Sequence, residues 1–166
     1  MSDKNDNPRE TLWHLIKDMK FGMFCHRHAD GELHSHPLTT QNRSFDDGKL
    51  YFFVSKATEL GQRVQQDGNV CISYGDPGKD TWVSISGTAT VSDDRKLKER
   101  LFSPLVKAWF PGGLEDPNLE LLQVDVQHAE YWDIHESKMT QLLKMATAAV
   151  TGNPPKMGDH KELNLK

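Results

Sequence analysis

Short apolar runs separated by tight turns constrain the fold of this chain more than any other feature. Asp30-Gly31 and Asp47-Gly48 are turn pairs, and a third turn lies at residues 75–78. The predicted strands span residues 21–25, 33–40, 50–54, 70–74, 82–91 and 119–126, and residues 130–133 close the sheet. Because these strands do not alternate regularly with helices, the pattern favours a mainly β (α+β) antiparallel barrel or sandwich.

Capping residues mark the helices that flank this sheet. Asn7 precedes a proline and predicts the start of an amphipathic helix, and Thr58 begins a second, short helix. A third helix starts near Asp93 and is expected to kink or break at Pro104. Ser137 caps a C-terminal helix that stops at residue 152.

Length and charge limit the class of protein. The 166 residues predict one domain over residues 10–152, with a disordered N-terminus over residues 1–9 and a loosely held tail over residues 153–166. The net charge of −4, without a basic stripe, argues against nucleic-acid binding. No apolar run approaches a membrane span or a signal-peptide core, and both cysteines fit reduced thiols in strands, so we expect a cytoplasmic protein.

Four histidines flank the first hairpin turn, in two His-x-His pairs at 26/28 and 34/36. Residues two apart on a strand share a face, so the register of the hairpin decides whether the pairs meet. A two-residue Asp30-Gly31 loop places His26 opposite Ser35 and puts the two pairs on opposite faces. This register predicts polar strand faces and no metal site, whereas a three-residue loop would reverse that conclusion.

Catalytic motifs of hydrolases and nucleotide-binding P-loops are absent from the sequence. The Ser86-Gly87 pair within a strand is interpreted as a bulge or a close backbone approach. Large aromatic side chains are frequent, among them Trp82, Trp109 and Trp132. Singly they fit a core, and together they suit the apolar walls of a site for a planar heteroaromatic cofactor.

Several segments together resemble one family. Residues 33–41 (LHSHPLTTQ), 50–54 (LYFFV) and 70–74 (VCISY) follow one another as in the pyridoxamine-phosphate-oxidase-like, flavin-binding split barrels. The combination of Trp-Phe-Pro-Gly-Gly at 109–113, Asp-Pro-Asn at 116–118 and Glu-Tyr-Trp at 130–132 resembles the general stress protein 26 subgroup. Residues 144–152 are also similar to that subgroup.

This resemblance implies a six-stranded antiparallel split β-barrel with flanking helices, assembled as a homodimer with two flavin sites at the subunit interface. The cofactor would be FMN, with FAD as the alternative, and the activity that of a flavin-dependent oxidoreductase. In this family the flavin lies across the barrel strands, with its phosphate near the second and third strands and the following helix. The implied cofactor-binding residues are His36, Pro37, Leu38, Thr39, Phe53, Val54, Ser55, Thr58, Leu60, Trp82 and Trp132.

Two positions depart from the family pattern, because His36 stands where arginine is usual and Leu60 where lysine is usual. Charge-assisted hydrogen bonds contribute about 1.5–3 kcal/mol each, so the loss of one such bond predicts roughly ten- to a hundredfold weaker phosphate binding. Lys56 or Arg63 is the expected compensating cation.

Alternatives to a flavin oxidoreductase stay open at this point. The same barrel could serve as a non-catalytic flavin store or sensor, or could hold a deazaflavin or haem. Pyridoxamine-phosphate oxidase activity is disfavoured, because the basic clusters that would hold the substrate phosphate are not apparent after Trp132.

Overall fold

The computed structural model describes residues 7–166, and they form one curled sheet with helices around it. The strands are β1 (Phe21–Arg27), β2 (Leu33–Thr39), β3 (Lys49–Ser55), β4 (Asn69–Asp76), β5 (Thr81–Ser92), β6 (Leu119–Asp133) and β7 (Asp159–Asn164). The helices are α1 (Pro8–Ile16), α2 (Glu59–Arg63), α3 (Arg95–Leu101), α4 (Pro104–Trp109) and α5 (Lys138–Thr151), with a 3₁₀ turn at Gly113–Glu115.

The strand order explains the shape of the sheet. Antiparallel pairing runs β2-β1-β4-β5-β6-β3, so β2 and β3 are the two ends of the path, and β7 pairs with β6. The sheet curls until these two ends approach each other, where the Gln41 N–H donates to the Tyr51 carbonyl at 2.9 Å. Away from this contact the two strand edges part. The predicted split barrel is therefore confirmed, and the gap between β2 and β3 is its split.

The core lies inside the barrel. Phe24 of β1 and Phe52 of β3 are fully buried and meet edge to face, with ring centroids 5.4 Å apart. Leu12 and Ile16 of α1 pack into the same cluster. The predicted N-caps of α1 and α5 are present. The side chain of Asn7 accepts from the N–H of Arg9, and the side chain of Ser137 accepts from the N–H of Thr140.

The predicted irregularity in β5 is confirmed. The register between β5 and β6 shifts between Ser86 and Gly87, which is a β-bulge. A Cβ atom on Gly87 would lie 2.5 Å from the Asp125 carbonyl oxygen and 2.8 Å from a methyl group of Val124. The absence of a side chain therefore allows β6 to approach closely.

We expect Gly87→Ala to lower the free energy of unfolding by about 2 kcal/mol, because the added methyl group overpacks a backbone that cannot retreat. Urea unfolding followed by circular dichroism measures this change. Ser73→Ala, on the exposed face of β4, is the control. Gly31→Ala is unsuitable, because the positive φ of Gly31 would strain an alanine. A Gly87→Ala protein as stable as Ser73→Ala would contradict the close approach.

Residues 8–9 and the tail over residues 153–166 have more regular structure than expected. The helix α1 already begins at Pro8, and the guanidinium of Arg9 donates to the carbonyl of Asp46 at 2.7 Å, so the predicted disorder does not extend to these residues. Residues 1–6 lie outside the described part of the chain. The tail forms β7, which pairs with β6, and Leu163 packs against the core. Residues 119–126 and 130–133 join into the single strand β6.

The two cysteines are directly opposite each other on β1 and β4. Cys25 and Cys71 are both free thiols, as expected, but are half-buried and not fully enclosed. Within residues 7–166, none of the helices combines the length and apolar character that crossing a membrane requires.

The barrel contains a buried carboxyl group on β6 that lacks a full set of hydrogen-bond partners within residues 7–166. Glu120 is only 2% exposed; its Oε1 is 3.5 Å from the amide of Gln65, and its Oε2 has no hydrogen-bond partner among the described residues. Burial raises the pKa of Glu120, while Lys56 and Lys98 oppose that effect. The folded protein therefore holds this proton more tightly than the unfolded chain, and its stability falls as the pH rises above the ordinary range of a glutamate.

We expect Glu120→Gln to raise the free energy of unfolding by about 1 kcal/mol at pH 8, because it removes a buried charge that lacks a full set of partners. The gain should vanish near pH 4, where the side chain at position 120 is uncharged in the folded wild type as well as in the variant. Urea unfolding at both pH values measures it, and the exposed Glu162→Gln serves as the control. A gain that is equal at pH 4 and pH 8 would contradict the buried charge.

Candidate functional site

A cavity of about 740 Å³ opens at the split of the barrel. Its walls come from β2, β3, α2 and α4, together with the loop that follows α4. This volume is in the range of small-molecule and cofactor sites. The structure gathers nine of the eleven predicted site residues around it: His36, Pro37, Leu38, Thr39, Phe53, Val54, Ser55, Thr58 and Leu60. Their role as cofactor ligands stays a prediction.

The turn after β3 shapes one wall of the cavity. The hydroxyl of Thr58 donates to the Ser55 carbonyl at 2.7 Å and accepts from the N–H of Gly61 at 3.2 Å, so it is the N-cap of α2. A Cβ atom on Gly61 would lie 2.5 Å from the same Ser55 carbonyl oxygen. Thr58 is therefore occupied in holding α2 against the end of β3. The hydroxyl of Ser55 accepts from the N–H of Ala57 at 3.2 Å and lines the cavity.

The cations are not where the sequence places them. Leu60 is only 5% exposed and belongs to the main core cluster, so this position brings no charge to the cavity that it lines. The guanidinium of Arg63 donates to Gln66 at 2.6 Å, and neither Arg63 nor Lys56 lines the cavity. Lys20 is the one lysine or arginine among the described residues that line the cavity. Lys20 lies between α1 and β1 and belongs to no motif that indicates a binding site.

Helix α4 supplies the apolar wall that the site prediction missed. Leu105 and Trp109 line the cavity and are otherwise exposed, while Val106 and Phe110 are buried behind them. The break at Pro104 separates α4 from α3 and allows it to face the split. The motif at 109–113 contains this wall's Trp109, which is one of the aromatic side chains that the sequence indicates for such a site.

Trp82 and Trp132 do not reach the cavity of their own chain. They are neighbours in the register of β5 and β6, and are 46% and 38% exposed. The Trp82 ring covers Gly75, where a Cβ atom would lie 2.5 Å from it, and Trp132 stacks on His160 with centroids 5.0 Å apart. Within one chain, this pair belongs to another part of the sheet surface, and the expectation that both tryptophans lie near the cofactor stays a prediction.

The histidine pairs meet, contrary to the predicted register. The N–H of His28 donates to the Glu32 carbonyl at 2.8 Å and closes a three-residue loop, in which Gly31 has a φ of +89° and donates to the His28 carbonyl at 3.0 Å. This geometry is the usual turn plus bulge of a three-residue hairpin. It pairs His26 with His34 and Phe24 with His36, so all four histidines share one face.

The rings of these histidines form a stack beside the cavity. His28 lies against His34 with centroids 3.5 Å apart, and His26 is 4.7 Å from His28 and 5.2 Å from His36. His26 is 1% exposed, and burial, together with the neighbouring His28 and His36, lowers its pKa. These effects favour the uncharged form of the His26 imidazole. His36 and Glu59 also line the cavity, so the stack adjoins it.

A curled antiparallel barrel with a cofactor-sized cavity in its split defines a class, the split-barrel proteins. The model of the family described as "Pyridoxamine 5'-phosphate oxidase like" matches residues 7–156. This chain belongs to that family.

Relatives and solved structures agree with this assignment. The chain is 28% identical over 129 residues to protein bli-3 of Neurospora crassa, covering 72% of this chain and 62% of that protein. It is 30% identical over 99 residues to general stress protein 26 of Bacillus subtilis, covering 57% of this chain and 67% of that protein. The chain thus spans about three fifths to two thirds of these relatives.

Two crystal structures are similar over most of their length. A putative general stress protein 26 from Jannaschia sp. CCS1 superposes with a TM-score of 0.72 at 25% identity, covering 94% of this chain and 97% of that one. The general stress FMN/FAD binding protein of Xanthomonas citri superposes with a TM-score of 0.68 at 34% identity, covering 78% of this chain and 90% of that one.

Proposed function

We propose that this protein binds a flavin nucleotide, FMN with FAD as the alternative, in the cavity at the split. The observation that carries the proposal is the convergence of nine residues, chosen from the sequence alone, on one cavity of about 740 Å³. The relative from Xanthomonas citri, which is described as an FMN/FAD binding protein, supports the choice of ligand.

The side chains present fit the two ends of such a ligand. Phe53, Leu38 and Trp109 offer apolar surface for a planar ring system, and Thr39 and Ser55 offer hydroxyl groups for its polar edge. The ammonium of Lys20 would provide charge for the phosphate. When bound, the flavin supplies redox chemistry through its isoalloxazine ring, and the protein orients the ring and restricts its contact with water.

The proposal includes a homodimer. Helix α5 has no buried residue and exposes Met139, Leu142 and Leu143, while Trp82 and Trp132 expose a second apolar area on the sheet. Apolar areas of this kind on a soluble protein commonly mark an interface. In the proposed dimer, the tryptophan pair of one subunit covers the flavin of the other, which explains why it does not line the cavity of its own chain.

The finer proposal is a flavin-dependent oxidoreductase of the general stress type. A non-catalytic flavin store or sensor is the second candidate, favoured by the buried Leu60 where a phosphate-binding lysine is usual. Consumption of a reduced nicotinamide distinguishes the two. A turnover rate with protein and FMN that exceeds the rate with free FMN supports the enzyme, and an equal rate supports the store or sensor.

Titration with FMN, FAD and riboflavin, followed by flavin fluorescence, tests the binding. We expect saturable quenching at about one flavin per chain. Lys20→Ala should weaken FMN binding about tenfold and leave riboflavin, which lacks a phosphate, unchanged. Lys107→Ala, on the exposed side of α4, is the matched control. The absence of saturable binding for all three flavins would overturn the proposal.

A further inference from the structure

We propose that His26, His28 and His36 form a binding site for one divalent transition-metal ion of the zinc type. The three residues each offer a ring nitrogen, and these nitrogens all lie within 4.8 Å of one another. In a tetrahedral zinc site with Zn–N distances of about 2.1 Å, the nitrogens are roughly 3.4 Å apart. Binding of the ion would therefore draw the three nitrogens closer together.

The unpartnered nitrogens point to a missing ligand. Both ring nitrogens of His26 and the Nε2 atoms of His28 and His36 are buried without a hydrogen-bond partner among the described residues. His26 itself is 1% exposed. Buried polar atoms nearly always have a partner, so four orphaned nitrogens in one cluster are unusual. A single metal ion would coordinate three of them at once.

Glu59 prepares His28 for coordination. Its carboxylate is 2.9 Å from Nδ1 of His28 and also accepts from the N–H of Ala29 at 3.0 Å. This contact holds the proton of His28 on Nδ1 and leaves the lone pair of Nε2 free. A metal-binding histidine commonly donates its second nitrogen to a carboxylate in this way.

The donor set indicates which metals fit. Three imidazoles suit zinc, copper and nickel, whereas calcium and magnesium prefer oxygen ligands. His34 stacks on His28 on the outer side of the cluster, with Glu32 3.7 Å away, and is not one of the three ligands. Because His36 lines the cavity, the fourth position of a tetrahedral ion is available to water or to an anion in that cavity.

Zinc titration of the full-length, chelator-treated protein by isothermal calorimetry tests the site, without flavin. We expect one zinc ion per chain. His36→Gln should weaken binding at least tenfold, and Glu59→Gln by about ten- to a hundredfold. His34→Gln and the exposed His14→Gln are the controls and should bind zinc like the wild type. Cobalt absorption then reports a tetrahedral nitrogen site in the wild type.

Two results would overturn the inference. One is the absence of saturable zinc binding; the other is binding that His34→Gln or His14→Gln abolishes while His36→Gln leaves it intact. Because Glu59 is exposed, Glu59→Gln tests the site without disturbing the core, and circular dichroism verifies that each variant is folded. Neither result bears on flavin binding, which is measured separately.

Discussion

Phe52→Ala is expected to lower the free energy of unfolding by about 3–5 kcal/mol, which is a large share of the total stability of a domain this size. Phe52 is fully buried in β3, and its ring packs edge to face on Phe24. Removal of the ring leaves a cavity in the core. Antiparallel pairing holds β3 against β6, so the strands cannot shift to fill this cavity. Urea unfolding at pH 7 measures the loss.

Phe53, the residue after Phe52, provides the matched comparison for the Phe52→Ala variant. Phe53 points to the other side of β3, is only half-buried and lines the cavity. Phe53→Ala should therefore cost clearly less stability than Phe52→Ala, but should weaken FMN binding, whereas a folded fraction of Phe52→Ala should bind FMN normally. Equal losses of stability for the two variants would contradict the assignment of one ring to the core and the other to the site.

The second large effect concerns assembly. We expect the double variant Trp82→Ala/Trp132→Ala to raise the dimer dissociation constant at least about thirtyfold, because buried tryptophans at interfaces commonly contribute 2 kcal/mol or more. FMN affinity should fall with it, since the proposed dimer places these rings over the partner's flavin. Sedimentation velocity over a range of protein concentrations measures the first effect, and the fluorescence titration measures the second.

An exposed apolar residue elsewhere provides the control for this variant. Leu33→Ala, at the start of β2, removes exposed apolar surface outside the tryptophan pair and should leave the dimer intact. A tryptophan double variant that dimerises like the wild type would show that this face is not the interface. An unchanged FMN affinity in a monomeric double variant would show that the partner does not contribute to the site.

Local chemistry made much of the fold predictable. The capping side chains of Asn7, Thr58 and Ser137 and the break at Pro104 act within a few residues of chain, so the sequence alone locates the helices. The bulge at Gly87 was predictable for the same reason. The family resemblance then placed the flavin phosphate near the second and third strands and the following helix, and most of the predicted site residues lie together there.

The parts that were missed depend on contacts between distant segments. One extra residue in the loop before Glu32 moves every side chain of β2 to the other face, and the turn sequence fits either loop length. Leu60 lines the cavity as predicted, but the packing of α2 also places most of its side chain in the core. Lys20 approaches the cavity only because of how α1 joins β1.

The seventh strand also has a consequence for how the protein is handled. Beyond its pairing with β3, the long strand β6 would present an open hydrogen-bonding edge from His128 to Asp133, and β7 covers it. Uncovered edges of this kind recruit strands from other molecules. Removing residues 159–166, or fusing a bulky affinity tag that pulls β7 away, is therefore expected to promote aggregation even though the cavity and its lining residues are untouched.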